Sequence, residues 1–412
     1  MSDAYDVIVI GGGAAGMMAA GRAAECGKRV LLIEKNAALG KKLAISGGSR
    51  CNIFNAEENE RALLSHYGKA EQFLYSPFSQ FGMRDARAFF ESRGLPLKVE
   101  ARKRAFPQSE RAADVVKVLA EYCVRGKVDV RLRTPVQKII AEGDKVVKVV
   151  TRSGEFSARS YVLATGGVSY PETGSTGDGF AWLSSLGQKI EKPTPTIVPL
   201  RASDGWIRKL SGVALPDMKV TFFCEGKRAF SVRGGLLFTH FGLSGPNILN
   251  AAGKVSGLLE SGTVTAQIDT CPDLDLGILE KQITNIFDQN KNKFLKNVFK
   301  EIAPPGTGAI ILSLESSIDP ETKVHSVTKG NRRALAKLLK ALPVTVGGLM
   351  GFDRAVVADG GLPLTEVDTK TMCSRAYANL YVTGDLLHIT RPSGGYSLQL
   401  AWTTGYVAGS HA

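Results

Sequence analysis

Gly11, Gly13 and Gly16 stand at the spacing Gly-x-Gly-x-x-Gly, and Glu34 ends the next apolar run. Glycines so placed let backbone N–H groups close on a pyrophosphate. The first permits a tight turn, the second a close approach, and the third allows a helix to pack tightly on a strand. A carboxylate at Glu34 can accept ribose hydroxyls, and its charge disfavours a 2′-phosphate. These residue types at this spacing point to dinucleotide binding, with FAD and NAD both open at this point.

Gly384-Asp385 bears on the choice: it is similar to the Gly-Asp that closes the far side of the FAD site in two-dinucleotide-fold flavoproteins, with an ordinary strand–turn as the plain alternative. The pair ends a second short apolar run, in a chain whose only Gly-x-Gly-x-x-Gly begins at Gly11. A glycine there admits close backbone contact, and the aspartate can accept from a ribityl hydroxyl, which FAD carries and NAD lacks. Gly394-Gly395 then leads into a helix-like stretch beginning at Tyr396, Ser397 and Leu398. A helix start of this kind offers unpaired N–H groups to the negative charge of a reduced flavin, and a plain helix cap is the simpler alternative.

The elements that must position these residues are legible around them. Residues 5–10 form a short, continuously apolar, β-branched run, as expected of a buried parallel strand. Ala14 and Ala15 belong to the glycine loop that runs to Gly16, residues 17–27 read as a helix ending at Gly27, and 29–34 as the next strand, which completes a βαβ unit. Residues 160–167 form a third apolar run opening into Ala164-Thr165-Gly166-Gly167. Short alternating runs between 192 and 271, bounded by Gly and Pro, suggest a small barrel. From 272 to 340 the apolar spacing becomes helical.

With these segments assembled, the chain resembles the YhiN/BaiN-type, aminoacetone-oxidase-like family of FAD-dependent oxidoreductases. The resemblance runs almost the whole length. It is carried by GGGAAG (11–16), KLAISGGSRCN (42–52), LATGGVSYPETGSTGDG (163–179), LLFTHFGLSGP (236–246) and GDLLHITRPSGGYSLQLAW (384–402). It implies that 42–52 wraps the pyrophosphate and ribityl chain opposite the first glycine loop. Gly47 and Gly48 would supply N–H groups, Ser46 a hydroxyl, and Lys42 and Arg50 charge to offset phosphate. Lys35, Cys51, Asn52 and the backbone of Val136, near the adenine, complete the implied cofactor set. Cys51 reads as a structural cysteine, with a redox role as the alternative. His240 is brought toward the active site in relatives, and Tyr396 is a second candidate, for substrate stacking or proton donation. Packing roles are the plain alternative for both. Two stretches depart from the family pattern: 386–391, where an acidic, glycine-bearing segment is usual, and 358–362, which reads Ala-Asp-Gly-Gly-Leu.

The composition agrees with a globular protein: 412 residues, 44% hydrophobic and 22% charged. The expected fold is α/β, a two-dinucleotide-fold FAD-binding domain of glutathione-reductase-like Rossmann type. That domain is formed by 1–191 and 347–412. A β-barrel-like insert (192–271, completed by about 341–346) and a helical insert (272–340) interrupt it. Six scattered cysteines and five dispersed histidines form no paired metal spacing, so no metal is expected. No apolar run reaches the roughly 18 residues of a bilayer span, and no positive n-region precedes residue 5; a cytoplasmic location follows as the expectation. Net charge is +13, and residues 83–134 carry 13 Lys/Arg against 7 Asp/Glu. With no RNA-binding motif and no interleaved aromatics, that run reads as a solvated basic face rather than a nucleic-acid site.

The function expected is hydride transfer through flavin N5 to or from a small-molecule substrate. Either transiently docked NAD(P)H, or a small amine or unsaturated substrate with O₂ as acceptor, would complete the cycle. An FAD-containing protein that binds or modifies RNA and a non-catalytic flavin sensor are the alternatives.

Overall fold

The computed structural model describes residues 5–412. The chain divides into two compact units, one running to Thr194 and resuming at Val356–Ala412, the other Pro195–Ala355.

The first unit is built on a five-stranded parallel sheet in the order Leu380–Val382, Ala158–Leu163, Tyr5–Ile10, Val30–Ile33, Asp129–Arg131. Val7, Ile8 and Val9 are fully buried, as a central strand covered on both faces requires. The helix Ala14–Glu25 buries a small-residue face, Gly16, Ala19, Ala20 and Ala23, which lets it lie close to its neighbours. Its chief neighbour is the helix Tyr396–His411, which is buried nearly all round. That burial is why its sequence shows little amphipathic pattern. Its polar groups are matched inside: Thr403 Oγ1 donates to the Phe81 carbonyl at 2.7 Å, and Trp402 Nε1 to the Ile53 carbonyl at 2.9 Å. Two small antiparallel sheets flank this core, one formed by Val136–Glu142, Lys145–Thr151 and Gly154–Phe156, the other by Phe54–Asn55, Arg104–Pro107 and Leu97–Glu100.

The second unit contains a closed six-stranded barrel in the order Leu200–Ala202, Gly242–Ser244, Lys227–Thr239, Ala214–Cys224, Val264–Asp269, Leu342–Leu349. Alternate residues point inward, for example Val220 and Phe222 or Val264, Ala266 and Ile268. The helices Leu276–Gln289 and Lys329–Lys340 pack on each other, and Lys340 Nζ bonds Asp269 at 2.6 Å. Two features differ from the sequence reading. A 16-residue helix, Pro246–Ser261, lies within the segment read as strands. Its Gly-Pro start and its buried Ile248, Ala251, Ala252 and Val255 at helical spacing account for it. The closing strand continues beyond Gly347, pairing Leu349 with Leu200, so this unit ends at Ala355. No helix among the described residues is long and apolar enough to cross a membrane.

Candidate active site

The glycine loop forms as its spacing predicts. Gly11 has φ +105°, and a Cβ on it would lie 2.5 Å from the Ala164 carbonyl oxygen. A Cβ on Gly16 would meet the Gly11 carbonyl oxygen at 1.8 Å. Both positions therefore admit only glycine. Gly13, the N-cap of Ala14–Glu25, is different: nothing lies within 4 Å of where its Cβ would stand. Open space over an N-cap glycine leaves the helix N–H groups accessible to an anion.

Glu34 is 7% exposed and locks this loop. One carboxylate oxygen accepts from Gly12 N–H at 2.7 Å; the other accepts from the Asn36 backbone N–H at 2.7 Å and its amide at 2.8 Å. Thr134 N–H donates to the Glu34 carbonyl at 3.0 Å, which sets Val136 two residues farther along at the start of its strand.

The segment 42–52 begins in the short helix Lys41–Ile45 and turns after it. Gly47 and Gly48 have φ +58° and +67°, and Ser49 and Cys51 also take positive φ. Its link to the C-terminal segment is direct. Asn52, oriented with its NH₂ toward the Phe54 and Ala105 carbonyls, accepts from Gly395 N–H at 3.0 Å. Asn55 donates to the Gly394 carbonyl at 3.2 Å. Gly395, φ +103°, caps Tyr396–His411 and leaves no room for a Cβ, which would stand 2.3 Å from the Phe54 carbonyl carbon.

Gly384-Asp385 lies beside the first helix: a Cβ on Gly384 would be 3.5 Å from that of Ala15. A Cβ on Gly167 would stand 3.3 Å from the Asp385 carbonyl oxygen, so the 164–167 loop adjoins the same point. Burial pushes the Asp385 carboxyl up, but the Arg391 and Lys42 charges outweigh it and hold the group below its usual range. Lys42 Nζ stands 3.6 Å from Asp385 Oδ2, is shielded from solvent and has no hydrogen-bond partner. A buried ammonium with unmatched donors is costly by itself and suits an anionic ligand.

Several expected ligands are already engaged. Arg50, expected to offset phosphate, pairs instead with Glu100 and, at 3.0 Å, with Glu110, and lies over the Phe106 ring. Lys35 bonds Asp178 at 2.7 Å and Thr176 at 2.6 Å, and the Ser46 hydroxyl donates to the Leu43 carbonyl at 2.7 Å. Cys51 is fully buried, and burial pushes its thiol up to about 12, which removes the thiolate that redox chemistry needs. Tyr396 is 6% exposed, packed near the rings of His66 and Tyr67, and burial pushes its hydroxyl up to about 12. Leu398 is partly buried against the same core. His240 belongs to the barrel unit, exposed at the turn between Lys227–Thr239 and Gly242–Ser244. Arg391 escaped the sequence reading. It is 4% exposed and grips Asp385, and its only signal in the sequence was a basic residue in a stretch that departs from the family pattern.

The pieces fit a dinucleotide: a glycine cradle closed to any Cβ at two positions and open at a third, a buried carboxylate at the end of the next strand, and a buried ammonium with no hydrogen-bond partner. Comparison with known proteins agrees. Residues 5–411 match the family described as HI0933-like protein Rossmann domain. The chain is 30% identical over 415 residues to the 3-dehydro-bile acid delta(4,6)-reductase of Clostridium scindens, covering 98% of each. It is 28% identical over 411 residues to the ribosomal RNA dihydrouridine synthase of Haemophilus influenzae, again covering 98% of each. In fold it resembles the 3-ketosteroid-delta4-(5alpha)-dehydrogenase of Rhodococcus jostii RHA1, with TM-score 0.55 at 15% identity, over 99% of this chain and 97% of that one. The cofactor is FAD, and the chain belongs to the HI0933-like family as an FAD-dependent oxidoreductase.

Proposed function

We propose that this enzyme reduces a carbon–carbon double bond conjugated to a carbonyl. The observation that carries the reading is the end-to-end match to relatives named for two substrates of that one type. The uracil 5,6-bond of a dihydrouridine synthase and the Δ4,6 bonds of a 3-oxo bile acid are both alkenes polarised by a ring carbonyl. Reduction adds a hydride to one carbon and a proton to the other, and a nicotinamide dinucleotide is the reductant class proposed to supply the electrons.

Bound FAD would supply a two-electron carrier that accepts and delivers hydride at N5. The protein's own groups do the rest. Gly11, Gly13, Ala14, Ala15 and Gly16 present the N-terminus of the first helix to the pyrophosphate, whose charge the helix dipole favours. Lys42 supplies a cation to the same anion, Glu34 takes the ribose side, and Gly384-Asp385 takes the ribityl side. Ala164–Gly166 lines the crossing from one to the other. Gly47, Gly48, Asn52 and Gly395 shape the second wall. Tyr396, held protonated through neutral pH by burial, is the proposed proton donor, with the His240 imidazole as the alternative.

Within this chemistry, the end-to-end match to two relatives named as ribosomal RNA dihydrouridine synthases, rather than the basic run itself, favours a polyanionic substrate such as RNA over a free small molecule. One experiment tests both levels. The flavin is reduced anaerobically with NADH or NADPH, and reoxidation is followed on adding a 3-oxo-Δ4 steroid, free uridine or unmodified ribosomal RNA. Reoxidation by any conjugated alkene, with the dihydro product identified by mass, is the expected result. Reoxidation by O₂ alone would exclude the reading, and reoxidation by the steroid but not the RNA would exclude the polyanionic substrate.

A further inference from the structure

Arg391 is a buried guanidinium with every edge engaged. One Nη donates to Asp385 Oδ1, the other to the Ile389 carbonyl at 2.6 Å, and Nε donates to Ser397 Oγ at 3.0 Å. Its side chain is 1% exposed. It therefore ties the Gly384-Asp385 turn to the first residues of the helix Tyr396–His411. The second oxygen of Asp385 stands 3.6 Å from Lys42 Nζ, beyond a hydrogen bond, and that ammonium has no acceptor.

The arrangement is unbalanced in a specific way. Two cations share one carboxylate, so the cluster keeps a positive excess inside the protein. Asp385 and Lys42 stand at ion-pair distance without a hydrogen bond between them. Arg391 fixes the carboxylate through a charge-assisted bond to its other oxygen, from a fork that is itself anchored at two other points.

We propose that Arg391 is a positioning residue for the cofactor, holding Asp385 by one oxygen so that its other oxygen and the Lys42 ammonium stay available to the dinucleotide. The proposal rests on the reading of Asp385 as part of the FAD cradle. Arg391 itself touches no ligand in it; the ammonium meets the pyrophosphate charge, and the free carboxylate oxygen accepts from a cofactor hydroxyl.

The test is FAD affinity of the apoprotein, measured by quenching of flavin fluorescence, for Asp385→Ala, Arg391→Met, the double variant and Arg391→Lys. Melting temperatures of the apoproteins are recorded alongside. Each of the first two weakens FAD at least about tenfold, as loss of a charged hydrogen bond does. Because both remove one device, the double variant binds within about twofold of the weaker single variant. An additive loss would show Arg391 acting independently of Asp385 and would overturn the proposal. So would wild-type affinity in Arg391→Met beside a weakened Asp385→Ala. Undiminished affinity in Asp385→Ala would instead remove the cradle reading beneath it. Should Arg391→Met fail to fold, Arg391→Lys decides. It keeps the charge but cannot reach Asp385, Ile389 and Ser397 together, so affinity falls at least about threefold at an unchanged melting temperature. Wild-type affinity there would overturn the proposal.

Discussion

Gly405 lies so close to Ala15 that a Cβ on it would stand 2.4 Å from the Ala15 carbonyl oxygen. One turn farther on, Gly409 stands in the same relation to Ala19, at 2.3 Å. The C-terminal helix is thus pressed against the backbone of the helix whose N-terminus forms the glycine cradle. The last residues of the chain thereby fix the orientation of its first helix.

Replacing Gly405 by Val should separate these helices. Overpacking at a backbone contact costs about 1–3 kcal/mol or more, and in a chain of this size each kcal/mol lowers the melting temperature by about 1–2 °C. FAD affinity should fall with it, because the displaced helix carries the proposed pyrophosphate site. Calorimetry with FAD titration checks both. A variant that melts lower yet binds FAD as the wild type does would separate helix packing from the cradle.

Gly13→Ala makes the opposite demand. Its Cβ would meet nothing within 4 Å, and Gly13 has φ −83°, so the apoprotein should tolerate the methyl group. The added carbon would occupy space over the helix N-terminus, where the proposed pyrophosphate needs close approach. The expected result is a melting temperature within about 1 °C of wild type, with FAD bound at least about tenfold more weakly. Unchanged affinity would move the pyrophosphate elsewhere.

The contrast between Gly13 and Arg50 shows what the sequence could convey. Gly11, Gly13, Gly16 and Glu34 lie within one βαβ unit, where spacing along the chain sets spacing in space, so their geometry was legible beforehand. The resemblance places Lys35 in the cofactor set and Arg50 against phosphate, while the partners they have here, Asp178 and Glu100, come from distant segments that no local pattern announces. Arg391 was missed for the same reason. Its role exists only once residues 42, 385 and 397 are brought together. The helix Pro246–Ser261 is a different case, since its Gly-Pro start was readable and the surrounding strand pattern masked it.

Cys51 should behave as an inert core residue. A thiol pushed up to about 12 exposes a thiolate fraction on the order of 10⁻⁴ at pH 8. A thiol reagent should therefore label the exposed Cys26 quickly and reach Cys51 only after denaturation. Cys51→Ser should keep its FAD and most activity, with a stability loss of about 1–3 kcal/mol from burying a hydroxyl. Labelling of Cys51 as fast as Cys26 in the native state would contradict this burial.

The acid limb of stability should report on Asp385. Its carboxyl is held below the usual carboxylate range because the Arg391 and Lys42 charges outweigh burial. A group whose pKa is depressed by folding adds stability that is complete above its unfolded value, about 3.9, and is lost as pH falls through the folded value. The stability difference between wild type and Asp385→Asn should then be constant from neutral pH down to about 5 and shrink only below about 4. Urea unfolding of both proteins across pH 3 to 8 gives the measurement. A gap that narrows already between pH 7 and 5 would mean that burial prevails over the two cations, and that Asp385 is protonated in the range where the cradle requires its charge.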